Sequence, residues 1–333
     1  LRRLVGSEMC IRDRLIPALP ALSFFLILFF GKKMKYKGAE FGITAIALSL
    51  ILAICCVGQW MNQVDNASDN YKKNTPYETE EKYSETSSQV LEQNASAEPI
   101  EVASAEQMNI YAAGEESGYE AVAVDAVIER FTWWETGGKK FQVGIMVDGL
   151  AVMMLFVVTV ISLLVHIYST DYVSGDRRYT HYFAFLSLFS ASMLFFVLSE
   201  NILQTIVGWE LVGVCSFALI GHWWEEKPNS DAALKAFLTN RVGDMGLLVG
   251  MIILFWSAGS WSIVDINVAA INNEIGKTTL LIASLCLTAA VMSKSGQFIL
   301  HTWLPDAMAG PTPVSALIPV SYTHLTLPTN PEV

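Results

Sequence analysis

Residues 202–222 read ILQTIVGWELVGVCSFALIGH. A helix that crosses a bilayer needs roughly 20 consecutive, predominantly apolar residues, and this stretch supplies them with one carboxylate, Glu210, inside the run. Working outward, six more stretches have the same length and character: 15–31, 41–60, 144–168, 182–199, 233–257 and 278–300, with an eighth beginning near Pro313. The reading is an all-α integral membrane protein, a polytopic helix bundle of seven complete spans and the start of an eighth. Composition agrees. Of 333 residues 53% are apolar and 16% charged, and the mean hydropathy is +0.41, which does not suit two soluble domains.

The net charge of -11 comes almost entirely from one segment. Between Met61 and Gln142 there are 16 Asp and Glu against 6 Lys and Arg, a net of -10. No basic stripe suits phosphate contacts, so nucleic acid is set aside as a partner. Cys10, Cys55, Cys56, Cys215 and Cys286 never take a CxxC spacing, which supports neither a zinc site nor an iron-sulfur cluster. No Gly-rich dinucleotide motif, Walker loop or haem attachment is present either. Any redox chemistry is expected on another chain.

Lysine and arginine in short loops set orientation. Lys32, Lys33, Lys35 and Lys37 fill the first loop, Arg177 and Arg178 the third and Lys227 the fifth, whereas 199–201 has none and 258–277 only Lys277. Odd loops are therefore expected in the cytoplasm, the N-terminus outside, and the chain multi-pass in the inner (plasma) membrane. Residues 1–14 put four arginines on the unfavoured face, and 319–333 abandon an apolar helical pattern. Both resemble adapter-derived peptides, so a leader 1–14 and a tail 319–333, with Cys10 and His324, are expected to be non-native. The domain reading is two N-terminal spans over 15–60, a mostly disordered acidic extracytoplasmic loop over 61–142, and a translocating region over 143–318. Asn66 and Asn94 begin sequon-like triplets of the kind an Asn- and Ser-rich segment produces by chance. Phe131 to Val143 reads as an interfacial aromatic anchor or a short hairpin.

Ionisable residues in spans carry the functional signal, because a charge at the centre of a spanning helix costs about 2.5–3.5 kcal/mol on insertion scales. Glu210 falls near the midplane. Lys294 stands in VMSKSGQ (291–297), ahead of Gly296 and Pro305, a composition that permits a broken helix lining a polar cavity. Arg241 and Asp244 share a helix face three residues apart, and Lys235 lies near a helix end, where it can snorkel. His166, His181 and His222 read as interfacial. Asp148 reads either as a relay residue or as a solvated carboxylate. For Glu210 with Lys294 the plain alternative is a structural ion pair. The functional one is a proton device, since desolvation favours the neutral amine and a nearby carboxylate favours the ammonium.

The runs GWELVGVCSFALIGHWW (208–224), LKAFLTNRVGD (234–244) and SKSGQFILHTWLPDAMAGPTPVSALI (293–318), together with LIPALP (15–20) and VDGLAVMML (147–155), resemble the antiporter-like membrane subunits of respiratory complex I, most closely subunit L of NADH-quinone oxidoreductase. The resemblance covers about 15–60 and 140–318. It implies the first of two inverted five-helix repeats, with Glu210 as the membrane glutamate, Lys294 as the pumping lysine of a broken seventh helix, and Lys235, Arg241 and Asp244 as charges between them. A histidine of the family's eighth helix has no counterpart here, where Pro319 stands. Implied partners are other complex I membrane subunits, especially a neighbouring antiporter-like subunit, and the lipid bilayer. NADH, FMN, iron-sulfur clusters and quinone are implied on partner subunits, with no cofactor or metal on this chain. The large subunit of a multi-subunit sodium/proton antiporter has similar motifs and is the alternative reading; a structural membrane scaffold is the third.

Overall fold

The computed structural model describes residues 2–74, 126–136 and 139–314, with side chains placed over 13–67, 126–135 and 141–314. Its helices are α1 (Arg2–Phe30), α2 (Ala39–Asn74), α3 (Gly149–Tyr172), α4 (Tyr179–Val197), α5 (Ile202–Ile220), α6 (Lys227–Ala258), α7 (Ile263–Ile271), α8 (Lys277–Lys294) and α9 (Trp303–Asp306). Among the described residues seven helices are long and apolar enough to cross a membrane: α1 to α6, and α8. Two compact units divide the chain, one of 1–58 with 126–333 and one of 59–125. All that follows concerns the first.

Helix α1 contains Pro17 and Pro20. A proline removes the N–H that would bond the carbonyl four residues earlier, and in lipid no water replaces it. The carbonyl orphaned by Pro20 is that of Ile16, and the Ser49 hydroxyl of α2 donates to it at 2.9 Å. Close packing of α6 on α8 depends on glycine. A Cβ at Gly243 would overlap the Ser293 side chain, so the two backbones approach as small residues allow in membranes.

Of the two readings of Phe131–Val143 the structure has the hairpin, antiparallel strands β1 (Val127–Thr136) and β2 (Lys139–Val147) with a register shift between Thr132 and Trp134. Among the described residues the remaining regular elements are helices. The hairpin is tied to the ends of the spans. Asn201 Nδ2 donates to the Gln142 carbonyl at 2.6 Å, and Met146 N to the Leu198 carbonyl at 3.2 Å. Arg130 meets Glu200 at 2.7 Å, with the Glu200 side chain 1% exposed, and also donates to Ser262 Oγ at 2.7 Å. Residues 126–136 and 139–142 of the expected acidic loop thus belong to the hairpin, α2 continues past residue 60 to Asn74, and 75–125, with the Asn94 triplet, and 137–138 lie outside the described residues.

Candidate functional site

The five charges singled out in the spans come from three helices, with Lys235 also on α6. Glu210 lies eight residues beyond Ile202 in α5, Arg241 and Asp244 sit on α6, and Lys294 is the last residue of α8. Helix α8 ends at Lys294, not at residue 300, because the backbone turns: Gly296 has φ 60° and Ile299 φ 77°. The Trp303 indole donates to the Ser293 carbonyl at 2.9 Å, satisfying a group that the break sets free.

The pairing is not Glu210 with Lys294. Glu210 meets the Arg241 guanidinium, whose other carboxylate neighbour is Asp244, at 3.7 Å. Arg241 also lies over the Phe237 ring, 4.5 Å from its centroid. Trp209 then joins the remaining members. Its indole N–H donates to Asp244 Oδ1 at 2.6 Å, its carbonyl accepts from Lys294 Nζ at 3.3 Å, and the ammonium stands 5.2 Å from its ring centroid, within cation–π range. Among the described residues no carboxylate is within 4 Å of the Lys294 ammonium. Gly213 makes room for it, since a Cβ there would lie 3.0 Å from Nζ. Asp244 and Lys294 are each 3% exposed; Glu210 and Arg241 are about one third open.

Two acids and two bases thus share one low-dielectric site, with one guanidinium between the carboxylates. Asp244 is the carboxylate linked to Lys294 through Trp209, and Glu210 is the one that meets Arg241 directly. Lys235 is apart from this group, half-exposed and paired with Asp306 at 2.6 Å. Among the described residues no three His, Cys, Asp or Glu side chains converge as metal ligands.

Sequence reasoning missed several residues. Trp209 gave no signal beyond being aromatic. His166, read as interfacial, is fully buried between α3 and α4; Nδ1 bonds the Ser162 carbonyl at 2.7 Å, and Nε2 the Ser187 hydroxyl at 3.4 Å. His222, also read as interfacial, is 5% exposed and holds Asp176 at 3.3 Å. These two lie in loops, outside the spans. Burial lowers the His222 pKa, and the Asp176 charge opposes that only in part. At Asp176 burial favours the neutral acid, but the Arg178 N–H, the Trp223 indole and His222 outweigh it and hold the carboxyl below its ordinary value. Asp148 caps α3, its Oδ1 accepting from Ala151 N at 2.7 Å.

Sequence models of two protein families match the chain. Residues 199–327 match the "NADH:quinone oxidoreductase/Mrp antiporter, TM" family, and 133–183 match "NADH-Ubiquinone oxidoreductase (complex I), chain 5 N-terminus". Among curated relatives, the chloroplastic NAD(P)H-quinone oxidoreductase subunit 5 of Physcomitrium patens is 45% identical over 200 residues, covering 58% of this chain and 28% of the relative. The NAD(P)H-quinone oxidoreductase chain 5 of Picosynechococcus sp. is 44% identical over 193 residues, 56% of this chain and 29% of that one. The chain spans less than a third of the length of the relatives it matches. In fold, it resembles a chain of the Mrp complex from Dietzia sp. with a TM-score of 0.62 and 20% identity, over 92% of this chain and 26% of that one. It also resembles a chain of an archaeal membrane-bound sulfane sulfur reductase, with a TM-score of 0.63 and 17% identity, over 94% and 51%. The chain 5 N-terminus match starts at residue 133, inside the stretch that the motif resemblance leaves out. The match to the oxidoreductase/Mrp antiporter family continues to residue 327, past the expected boundary at 318.

Proposed function

We propose that this chain is part of a proton-translocating membrane subunit of an NAD(P)H-quinone oxidoreductase, of the subunit 5 or L type. Redox energy released on partner subunits would drive protons through it. The observation that carries the reading is the Lys294 ammonium, buried at a helix break and joined through Trp209 to Asp244, which shares Arg241 with Glu210. An amine in a low-dielectric site keeps its proton while a carboxylate is near and gives it up when that influence is withdrawn. Arg241 moving toward Asp244 screens the carboxylate nearest Lys294 and releases the proton; its return toward Glu210 restores the ammonium. No cofactor is needed for that step. Lys235 with Asp306 would belong to the path from this group toward neighbouring charges, and NADH, FMN, iron-sulfur clusters and quinone to partner subunits. The 44–45% identity to quinone oxidoreductase subunits favours this reading over a sodium/proton antiporter, for which the support is a likeness of fold and a shared family description. The hairpin would face outward and the Lys32–Lys37 loop the cytoplasm.

The test is Lys294→Met in the assembled complex, with acidification measured in energised vesicles. Methionine fills similar space without a titrating group, so pumping is lost while assembly remains. Parental pumping by the variant would remove Lys294 from the path.

A further inference from the structure

The loop between α1 and α2 reads GKKMKYKG over 31–38. Two of its four lysines, Lys35 and Lys37, line a groove of about 490 Å³ together with Glu40 at the start of α2, Thr170 near the end of α3, and Ser174. That volume falls within the ~300–1,000 Å³ usual for ligand clefts. The turn that brings both lysines to one groove runs through left-handed backbone, with φ 51° at Lys37 and 96° at Gly38, a conformation that a lysine adopts only at a cost.

The polar groups of the wall carry both signs and have bonding capacity to spare. Lys35 Nζ stands 5.3 Å from the Tyr36 ring centroid and Lys37 Nζ 5.9 Å from that of Tyr179, and among the described residues neither ammonium has a carboxylate within 4 Å. Glu40 Oε2 is buried, with no hydrogen-bond partner among the described residues. The Thr170 hydroxyl gives its proton to the Ile167 carbonyl at 2.6 Å, so toward a further group it can only accept. One groove therefore offers cations for an anion, and acceptors for an N–H cation. A quaternary ammonium has no N–H to give Glu40. An anionic headgroup without an amine would leave that carboxylate unpaired beside a like charge.

The lining residues stand where α2 begins, α3 ends and α4 begins, at the end of these spans away from the hairpin. That is the depth of lipid headgroups. Toward the bilayer centre Ile51 of α2 and Ile167 of α3 are at least half exposed, apolar surface against which acyl chains can lie. We propose that this groove binds the headgroup of a primary-amine phospholipid of the phosphatidylethanolamine type. Its phosphodiester meets Lys35, Lys37 and the Ser174 hydroxyl, and its ammonium meets Glu40 and Thr170. The inference is independent of the pumping role given to Lys294.

The test uses the assembled complex, stripped of lipid in detergent and given a phosphatidylethanolamine with a photoactivatable diazirine in one acyl chain. Crosslinked peptides are read by mass spectrometry, with unlabelled phosphatidylethanolamine, phosphatidylglycerol or phosphatidylcholine as competitors. Crosslinks within 43–54 or 160–172 are expected, displaced about tenfold more effectively by the ethanolamine lipid than by the other two, as the loss of a charged hydrogen bond implies. Equal competition by phosphatidylglycerol would mean that the lysines act as bare charge, and it overturns the proposal, as does crosslinking elsewhere on the chain with none in these peptides. Soluble glycerophosphoethanolamine tests the source of the headgroup. Weak displacement is expected, whereas displacement as strong as by the lipid overturns the lipid assignment in favour of a soluble phosphoamine. Glu40→Gln is expected to remove the preference for ethanolamine over glycerol headgroups, and an unchanged preference overturns the role of Glu40. Lys35→Gln with Lys37→Gln should weaken binding of all three lipids. Lys32→Gln with Lys33→Gln, on the same loop but outside the groove, should not, and equal losses from the two pairs count against the groove.

Discussion

Two interfaces bury polar groups in the spans, and they do so in opposite ways. Between α3 and α4 the groups are neutral and closed on themselves. Ser162, His166 and Ser169 on α3 meet Ser190, Ser187 and Tyr182 on α4, Thr159 donates to the Leu155 carbonyl of its own helix at 2.7 Å, and all are at most 1% exposed. The Ser162 and Ser190 hydroxyls bond each other, and Ser169 meets the Tyr182 hydroxyl at 3.0 Å. The Ser162 carbonyl can only accept, so His166 Nδ1 carries the proton and Nε2 accepts from Ser187. Among α5, α6 and α8 the groups are charged, one guanidinium serves two carboxylates, and the ammonium has a carbonyl and a ring for company. A satisfied neutral network fixes helix register. The charged one instead keeps four ionisable groups of three helices together around one guanidinium and one indole.

The sharpest way to break the comparison is to neutralise one group in each interface. Glu210→Gln is expected to lower pumping at least tenfold, and Glu210→Asp much less, because the role is electrostatic; His166→Gln should keep most of it. Proton flux in vesicles decides, and a parental Glu210→Gln with a dead His166→Gln would exchange the two roles. Crowding gives a second contrast. At Gly213 an alanine Cβ would sit 3.0 Å from the Lys294 ammonium, and at Gly42 one would sit 3.0 Å from Ser187 Oγ and 3.1 Å from His166 Cδ2. Gly213→Ala should therefore slow turnover several-fold with little change in melting, whereas Gly42→Ala should cost about 1 kcal/mol of stability, at the low end for overpacking, with turnover per assembled complex retained.

Smaller effects follow in the loops and the neutral interface. His222 has a folded pKa below its ordinary value of 6.5, so its contribution to stability is fully present above 6.5 and is lost as the pH falls through the lower folded value. Asp176, depressed from 3.8, adds a loss at more acid pH with the same sign. His222→Gln should flatten the first part of that acid limb in melts against pH, and an unchanged limb would mean that the histidine is not responsible. Smallest is Ser162→Ala, about 0.6 kcal/mol for one interhelical hydrogen bond in a membrane, measured by unfolding in mixed micelles.

The positions of the seven spans could be read from hydropathy because insertion depends on summed transfer energy, which sequence carries directly. Glu210, Arg241, Asp244 and Lys294 could be read for the same reason, each standing out as a charge where lipid disfavours one. Their partners could not. Which face of α5 meets α6 depends on rotation about the helix axes, so the Arg241 bridge in place of a Glu210–Lys294 pair had no sequence signal. The early end of α8 at Lys294 was foreshadowed by Gly296, but the left-handed backbone at Ile299 was not. His166 escaped because a polar residue near a predicted span end reads the same whether it faces headgroups or a neighbouring helix. The spacing of Thr159, Ser162, His166 and Ser169 along one helical face was the available clue.

The Ile16 carbonyl, left without its helical donor by Pro20 and supplied by Ser49, bears on biogenesis. A lone α1 leaving the translocon would carry that acceptor into lipid unsatisfied, at a cost of several kcal/mol. With Ser49 beside it the cost disappears, so α1 and α2 are best released into the bilayer together, as a helical pair. The Lys32–Lys37 turn between them would keep the pair in register as it leaves.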